Sequence, residues 1–311
     1  MKTLLISIIT FSLSLSAGAQ NSALLKLNLE QNKTYRLKST SQQNMSQSMG
    51  GMQNSTVVNS TNFLSLKMIE KSADFMVVEF RFDSIIINTQ TAGMNIDINS
   101  NKPGDIQSEN IGEVLSLFMN RYCSNPLYAK MTYEGKVLDF VNLKLFTDMM
   151  LKDVDSIKTQ MAQMIKSRAK MMADSKTIQS SIESIMAYLP GKQVETGGTW
   201  DVSLYTNSGG MEYHINSHYT LKDIKDNKAD ITFDSTLDPA NSGPVQMNGN
   251  TITNNIRGTS KSNMTIDTTD GMLIESSGKF HMEGDMGVEA QGRSMTIPTA
   301  INGETSVVLL P

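Results

Sequence analysis

The chain has 311 residues, a net charge of −4, 39% hydrophobic and 19% charged residues, and one cysteine. Mild acidity without any basic run excludes a polyanion-binding field, so no nucleic-acid partner is expected. A lone cysteine excludes a disulfide scaffold, and a chain of this length can be held together by apolar burial without one.

The first residues read as an export signal. Met1-Lys2 is positive, Leu4 to Leu15 is apolar, and Ala17-Gly18-Ala19 is a small-x-small cleavage site. The expected signal is therefore 1–19, with a mature chain from Gln20 in the periplasm or outside the cell. The apolar stretch is about twelve residues, short of the ~20 that a spanning helix needs, and no later stretch is apolar enough, so no transmembrane span is expected. No cysteine stands at the cleavage point to carry a lipid.

From Lys33 the chain reads as strands. Gly50-Gly51 is a two-residue hairpin turn, and folding there sets Tyr35 opposite Leu66 and Leu37 opposite Leu64. Strands of about fifteen residues imply strong twist and a projecting tip of Met45, Met49, Gly50 and Met52. Those methionines are either thioether ligands for Cu(I) or soft contacts on a flexible tip. Next, Met76, Val78, Phe80 and Phe82 alternate with polar or smaller residues, the period of a half-buried strand, and Ile85-Ile86-Ile87 continues it. Asn101 to Asp105 breaks the sheet, and Ile111, Leu115, Phe118 and Met119 fall at helical spacing. Cys123, between Tyr122 and Asn125-Pro126, is expected to be a buried, inert thiol.

The middle of the chain changes character. Met131 to Phe140 is a tight hairpin about Glu134-Gly135. Phe146, Met150, Val154, Ile157, Met161, Met164, Ile165 and Met172 then recur at three- and four-residue steps, which predicts one long amphipathic helix. Asp174-Ser175 interrupts it, and a second helix carrying Ile178, Ile182, Ile185 and Met186 stops by Pro190-Gly191. Methionine packs adaptably, so Met150, Ile157, Met161, Met164 and Met172 are the candidate ligand-binding residues, expected to face the concave side of a curled sheet. Simple core packing is the alternative.

After Trp200 the first half recurs. Thr199-Trp200-Asp201-Val202 is similar to Thr34-Tyr35-Arg36-Leu37, and Gly209-Gly210 is a second Gly-Gly turn that places Trp200 opposite Tyr219. Leu221-Lys222 echoes Leu66-Lys67, and Met264 to Gly271 echoes Met131 to Gly135. Ala229, Ile231, Phe233, Ser235 and Leu237 form one face of a strand, and Phe280, Met282, Met286 and Val288 of another. Two further runs, Met295 to Ile297 and Val307 to Leu310, close the chain. The expected fold is α+β: long antiparallel strands in a curled, pseudo-twofold duplicated sheet or half-barrel, with helices inserted between the halves and packed on the concave face. A single β-rich domain of 20–311 would comprise a first copy of about 20–141, helices of about 142–190 and a second copy of about 191–311.

The Gly135-Lys136-Val137-Leu138-Asp139 hairpin, the helices and the Gly197-Gly198-Thr199-Trp200 strand, behind an export signal, resemble the exported bacterial DUF 6263 family. That resemblance implies location and architecture and no activity. A curled sheet with helices on its concave face is also similar, by looser analogy, to the periplasmic lipoprotein-carrier folds, and this implies acyl-chain binding as one expectation.

No catalytic constellation emerges. His214 and His218 lie on a strand, where four residues separate them by ~13 Å, and His281 projects with charged neighbours. There is no Gly-x-Ser-x-Gly elbow, no catalytic cysteine signature and no phosphate loop. The expected role is non-enzymatic and without a cofactor: a binder or carrier of an apolar small molecule or lipid, or a structural component meeting an envelope protein partner. Mass analysis of the exported protein should find Gln20, free or cyclised, at its N-terminus; an exported, membrane-inserted form retaining Met1 would overturn the signal assignment.

Overall fold

The computed structural model describes residues 21–158, 162–208, 211–240, 243–247, 250–290 and 293–311. The expected export signal and the Gly209-Gly210 turn lie outside them. The first run of strands is β1 (Ser22–Leu25), β2 (Thr34–Met49), β3 (Met52–Lys71), β4 (Met76–Thr91), β5 (Met94–Asn99), β6 (Leu127–Met131) and β7 (Val137–Phe140), with α1 (Ile111–Ser124) between β5 and β6. Three more helices follow, α2 (Leu143–Met150), α3 (Ala162–Met172) and α4 (Ser175–Met186). The second run is β8 (Lys192–Glu195), β9 (Thr199–Ser208), β10 (Met211–Lys225), β11 (Lys228–Pro239), β12 (Val245–Met247), β13 (Asn250–Asn254), β14 (Arg257–Asp267), β15 (Leu273–Ala290) and β16 (Arg293–Leu310).

One antiparallel sheet carries most of these strands, in the order β7-β6-β4-β3-β2-β16-β15-β14-β11-β10-β9. The Gly-Gly turn sets the expected register, with Tyr35 opposite Leu66 and Leu37 opposite Leu64, and Trp200 faces Tyr219. The two runs repeat one connection order. In each, a hairpin, a third strand, an insertion and then two further strands lie side by side: β2-β3-β4-β6-β7 and β9-β10-β11-β14-β15. The insertion is β5 with α1 in the first run and β12 with β13 in the second. Tyr35 and Trp200 thus stand on equivalent strands.

The sheet curls because extra residues interrupt its ladders. Register shifts fall at Met68/Glu70 and Phe63/Leu64 in the first run, and at Leu221/Asp223 and Thr265/Ile266 in the second. Each such bulge bends its strand and increases the local twist. In β4 the shift reverses the buried face: Met76, Val78, Phe80 and Phe82 point inward, but beyond Asp83 it is Ile85 that is buried and Ile86 that is exposed.

Several expectations need correction. The β2–β3 hairpin does not project freely, because β16 pairs with β2 as far as Gln47 and β4 with β3 as far as Thr56. The long amphipathic helix is broken. α2 ends at Met150, Asp153 takes a left-handed backbone (φ 58°), and a single 3-10 turn (Val154–Ser156) precedes α3. Period alone did not show this stop, since Asp tolerates that conformation better than most residues. The two C-terminal runs are one strand, β16, and its Pro298 sits one residue past the last pairing with β2, where the missing N–H costs no bond on that side. Asp174 does interrupt the helices, as the N-cap of α4, accepting from Thr177 N at 3.1 Å.

Both edges of the sheet end at one helix. α4 packs against β9 and against β7, so the curled sheet is closed by a helix and not by strand pairing. Glu183 accepts from Val137 N on β7 at 2.9 Å, and Trp200 Nε1 on β9 donates to Tyr188 O, just past α4, at 3.0 Å. One end of the curl is crossed by the segment 25–29, whose Leu25, Leu27 and Leu29 are buried. Leu27 N donates to Tyr133 O and Asn28 N to Asp270 O, each at 2.8 Å, so the equivalent turns of the two runs grip adjacent residues of one segment.

Gly135 combines a positive φ of 90° with a position where a Cβ would press into the Met186 carbonyl. Gly51 has a φ of 83° and open space around it. Both Gly→Ala changes incur backbone strain of about 1 kcal/mol or more, but only Gly135→Ala also collides with backbone. Urea unfolding should show Gly135→Ala the more destabilising by at least ~1 kcal/mol; equal losses would contradict the close approach of this turn to α4.

Candidate ligand-binding site

The concave face is an alternating pattern closed into a lumen. Its lower part is a continuous apolar core in which Phe80, Phe118, Phe146, Leu66, Leu127 and Met131 are wholly buried. Above that core the walls separate, leaving two cavities that meet at Ser184, Ile185 and Val307. The first, of about 520 Å³, lies mainly within the second run, between β9, β10, β11, β14, β15, β16, β2 and the end of α4. The second, of about 410 Å³, lies under β2, β3 and β4 against α1 and α4. Both volumes fall in the range of small-molecule sites, roughly 300–1,000 Å³.

The larger cavity is long. Its lining runs along β10 from Tyr219 to Met211, a span of eight residues or roughly 26 Å at the strand rise of ~3.3 Å per residue. At its upper end Tyr213 Oη accepts from Asn254 Nδ2 at 2.8 Å, over Ile256 and Ile297, which are buried apart from the main core. Below, Tyr219 stacks between Trp200 and Phe233, at centroid distances of 5.4 and 4.8 Å. Burial pushes the Tyr219 hydroxyl up to a pKa of about 12, and that of Tyr188 higher still, so both stay neutral donors.

The candidate methionine set divides. Met150 and Ile157 are wholly buried in the core and line neither cavity. Met164 is partly buried against the same core. Met172 lines the smaller cavity, beside Ile178 and Met119. Met161 lies outside the described residues. The helix facing both cavities is α4, through Ser184 and Ile185, and the methionines facing the larger one come from strands: Met45, Met211, Met264, Met282 and Met286. Met45 thus belongs to the lumen, whereas Met52 is exposed at the hairpin tip. Ser235 was visible in the sequence as a polar residue within an apolar register, and that interruption was the available signal for this site.

Other side chains carry little chemistry. No cluster of three or more His, Cys, Asp or Glu able to hold a metal occurs among the described residues. His214 and His218 are exposed on β10, and His218 contacts Asp201 at 2.7 Å on the outer face. No helix among the described residues is long and apolar enough to cross a membrane. Cys123 is half-buried on α1, and burial raises its thiol pKa.

The sheet, the helix across its seam and the ligand-sized lumen define an α+β protein with an apolar concave interior. Residues 73–273 match the "Family of unknown function (DUF6263)", and the chain belongs to that family. No curated protein matches it in sequence. Among solved structures, lipovitellin aligns over 91% of this chain at 9% identity and a TM-score of 0.49. The chain spans 26% of that lipovitellin chain. The OccK5 (OpdH) protein of Pseudomonas aeruginosa aligns over 90% of this chain and 99% of its own, at 6% identity and a TM-score of 0.24. A DUF1329 family protein from Desulfovibrio piger aligns over 86% and 83%, at 9% identity and a TM-score of 0.14.

A raised thiol pKa means less thiolate at a given pH, and reactivity follows the thiolate. At pH 8, Cys123 in the native protein should react with iodoacetamide about tenfold or more slowly than in urea, the two rates converging as pH rises past the native value. Equal rates at pH 8 would remove burial as the control on this thiol.

Proposed function

We propose that this protein is a non-catalytic, exported binder or carrier of an apolar or amphiphilic small molecule held inside the curled sheet. The observation that carries the reading is the 520 Å³ lumen beside α4, lined chiefly by apolar and hydroxyl side chains. A sheet with no ligand to hold would gain by closing this space, since empty apolar volume costs roughly 24 cal/mol per Å³. The N-terminal sequence supports a location in the periplasm or outside the cell.

An envelope protein partner is the second reading. Leu145 and Met149 are exposed one turn apart on α2, and Val141, just before that helix, and Leu138, on the edge strand β7, are exposed as well. Contiguous apolar exposure of this kind fits a protein contact.

Native mass spectrometry of the protein isolated from its own cell envelope distinguishes the two. The first reading expects a small-molecule mass increment; a second polypeptide and no small molecule would favour the other. In vitro, the mature protein should bind the uncharged fluorophore Nile red saturably. The cross-strand pair Met282 and Ile301 lines the lumen, so Met282→Glu and Ile301→Glu, in variants whose circular dichroism is unchanged, should each weaken binding about tenfold or more. Undiminished binding in both variants would move the site elsewhere.

A further inference from the structure

The walls of the larger cavity are not uniformly apolar. Ser217, Ser235 and Ser260 are successive cross-strand neighbours on β10, β11 and β14, and Ser262, Ser276 and Thr305 extend the same hydroxyl band. Ser217 and Ser235 are buried, and their hydroxyl oxygens lie 2.7 Å apart. Strand alternation would be served as well by Val or Leu here, so the band is not a requirement of folding. It crosses the cavity part-way along, with Ile215, Met282 and Ile301 on one side and Phe233, Leu273 and Val307 on the other.

The same walls carry almost no charge. Among the described lining residues there is no carboxylate, arginine or histidine, and the one charged side chain is Lys279. Lys279 is exposed, and its ladder partners are Glu304 and Lys261, both also exposed. Its ammonium therefore belongs with the polar outer surface. A carboxylate or phosphate brought to the hydroxyl band would lose its hydration and meet no buried countercharge, which costs several kcal/mol. An ester carbonyl or alcohol meets hydroxyls that can donate and accept, and so loses little.

We propose that the occupant is a neutral lipid whose uncharged ester or hydroxyl group lies in the interior of the molecule, as in an acylglycerol. The polar linkage sits at Ser217, Ser235 and Ser260, and hydrocarbon arms extend to either side. This inference rests on the binding function proposed above and names the chemical class of its ligand.

The test uses the mature protein and a fluorescent diacylglycerol analogue, displaced at pH 8 by a long-chain diacylglycerol, by a saturated fatty acid and by the methyl ester of that same acid. The diacylglycerol and the methyl ester should displace the probe at about tenfold or lower concentration than the ionised acid. A Ser235→Ala, Ser260→Ala double variant whose circular dichroism is unchanged should weaken the diacylglycerol about tenfold. Displacement by the acid as strong as by its ester, abolished by Lys279→Gln, would assign the site to a carboxylate and overturn the inference, with the binding function intact. A double variant that binds the diacylglycerol unchanged would also overturn it. Failure of both the diacylglycerol analogue and Nile red to bind would overturn the binding function itself, and the neutral-lipid assignment with it.

Discussion

An antiparallel sheet that curls without closing leaves two strands with unpaired backbone, and the structure depends on how those edges are covered. Here one helix covers both. α4 lies between β7 and β9, with Glu183 taking the Val137 N–H on one side and the segment after the helix taking the Trp200 indole N–H on the other. Buried unpaired backbone is costly and exposed edges invite pairing with other chains, so a helix at this seam removes both liabilities along its length. It also fixes the circumference of the curl. A helix about 10 Å across holds the edges apart, where strand pairing would draw them to about 4.8 Å.

The lumen follows from that spacing. Near α1 and the buried end of α4, aromatic and Leu side chains fill the interior to a continuous core. Further along, the inward residues become small, with Ser and Gly on β14 and β15 and Gly303 on β16, and the walls no longer meet. Gly303 shows how the curvature is tolerated there: the Phe280 ring from the neighbouring strand lies where its side chain would be. An aromatic ring over a cross-strand glycine covers backbone and leaves the lumen open.

The repeated strand order gives the molecule a second economy. The turns ending at Gly135 and Gly271 occupy equivalent places in the two runs, and both grip the Leu25 to Leu29 segment, one through Tyr133 O and the other through Asp270 O. β1 then pairs with β8, tying residues 22–25 to the joint between the runs. Closure of the curl at this end therefore relies on residues remote in sequence from the strands they close. The inserted elements differ between the runs, and with them the two halves of the interior: α1 packs under the first, while β12 and β13 extend the second beside β15 and leave its lumen open.

The sequence by itself determined what depends on near neighbours. A Gly-Gly turn imposes its register on the strands it joins, so Tyr35 with Leu66 and Trp200 with Tyr219 could be paired from residue numbers alone. The period of two assigned Phe80, Ile231 and Phe233 to the inner face, the three- and four-residue steps marked helical segments, and Asp174 marked a helix start. What it left open depends on residues far apart in the chain. The bulge at Asp83 and the break at Asp153 are set by a partner strand and by the packing of α2 and α3, so period alone ran through both. Leu25, Leu27 and Leu29 alternate, yet nothing local says that they close an end of the sheet. The cavity is the extreme case: periodicity says that Met150 and Met282 are both buried, but whether a buried methionine meets core or empty space depends on the volumes of side chains on opposite walls. Only the tertiary structure brings those walls together, and it placed Met150 in core and Met282 on the lumen.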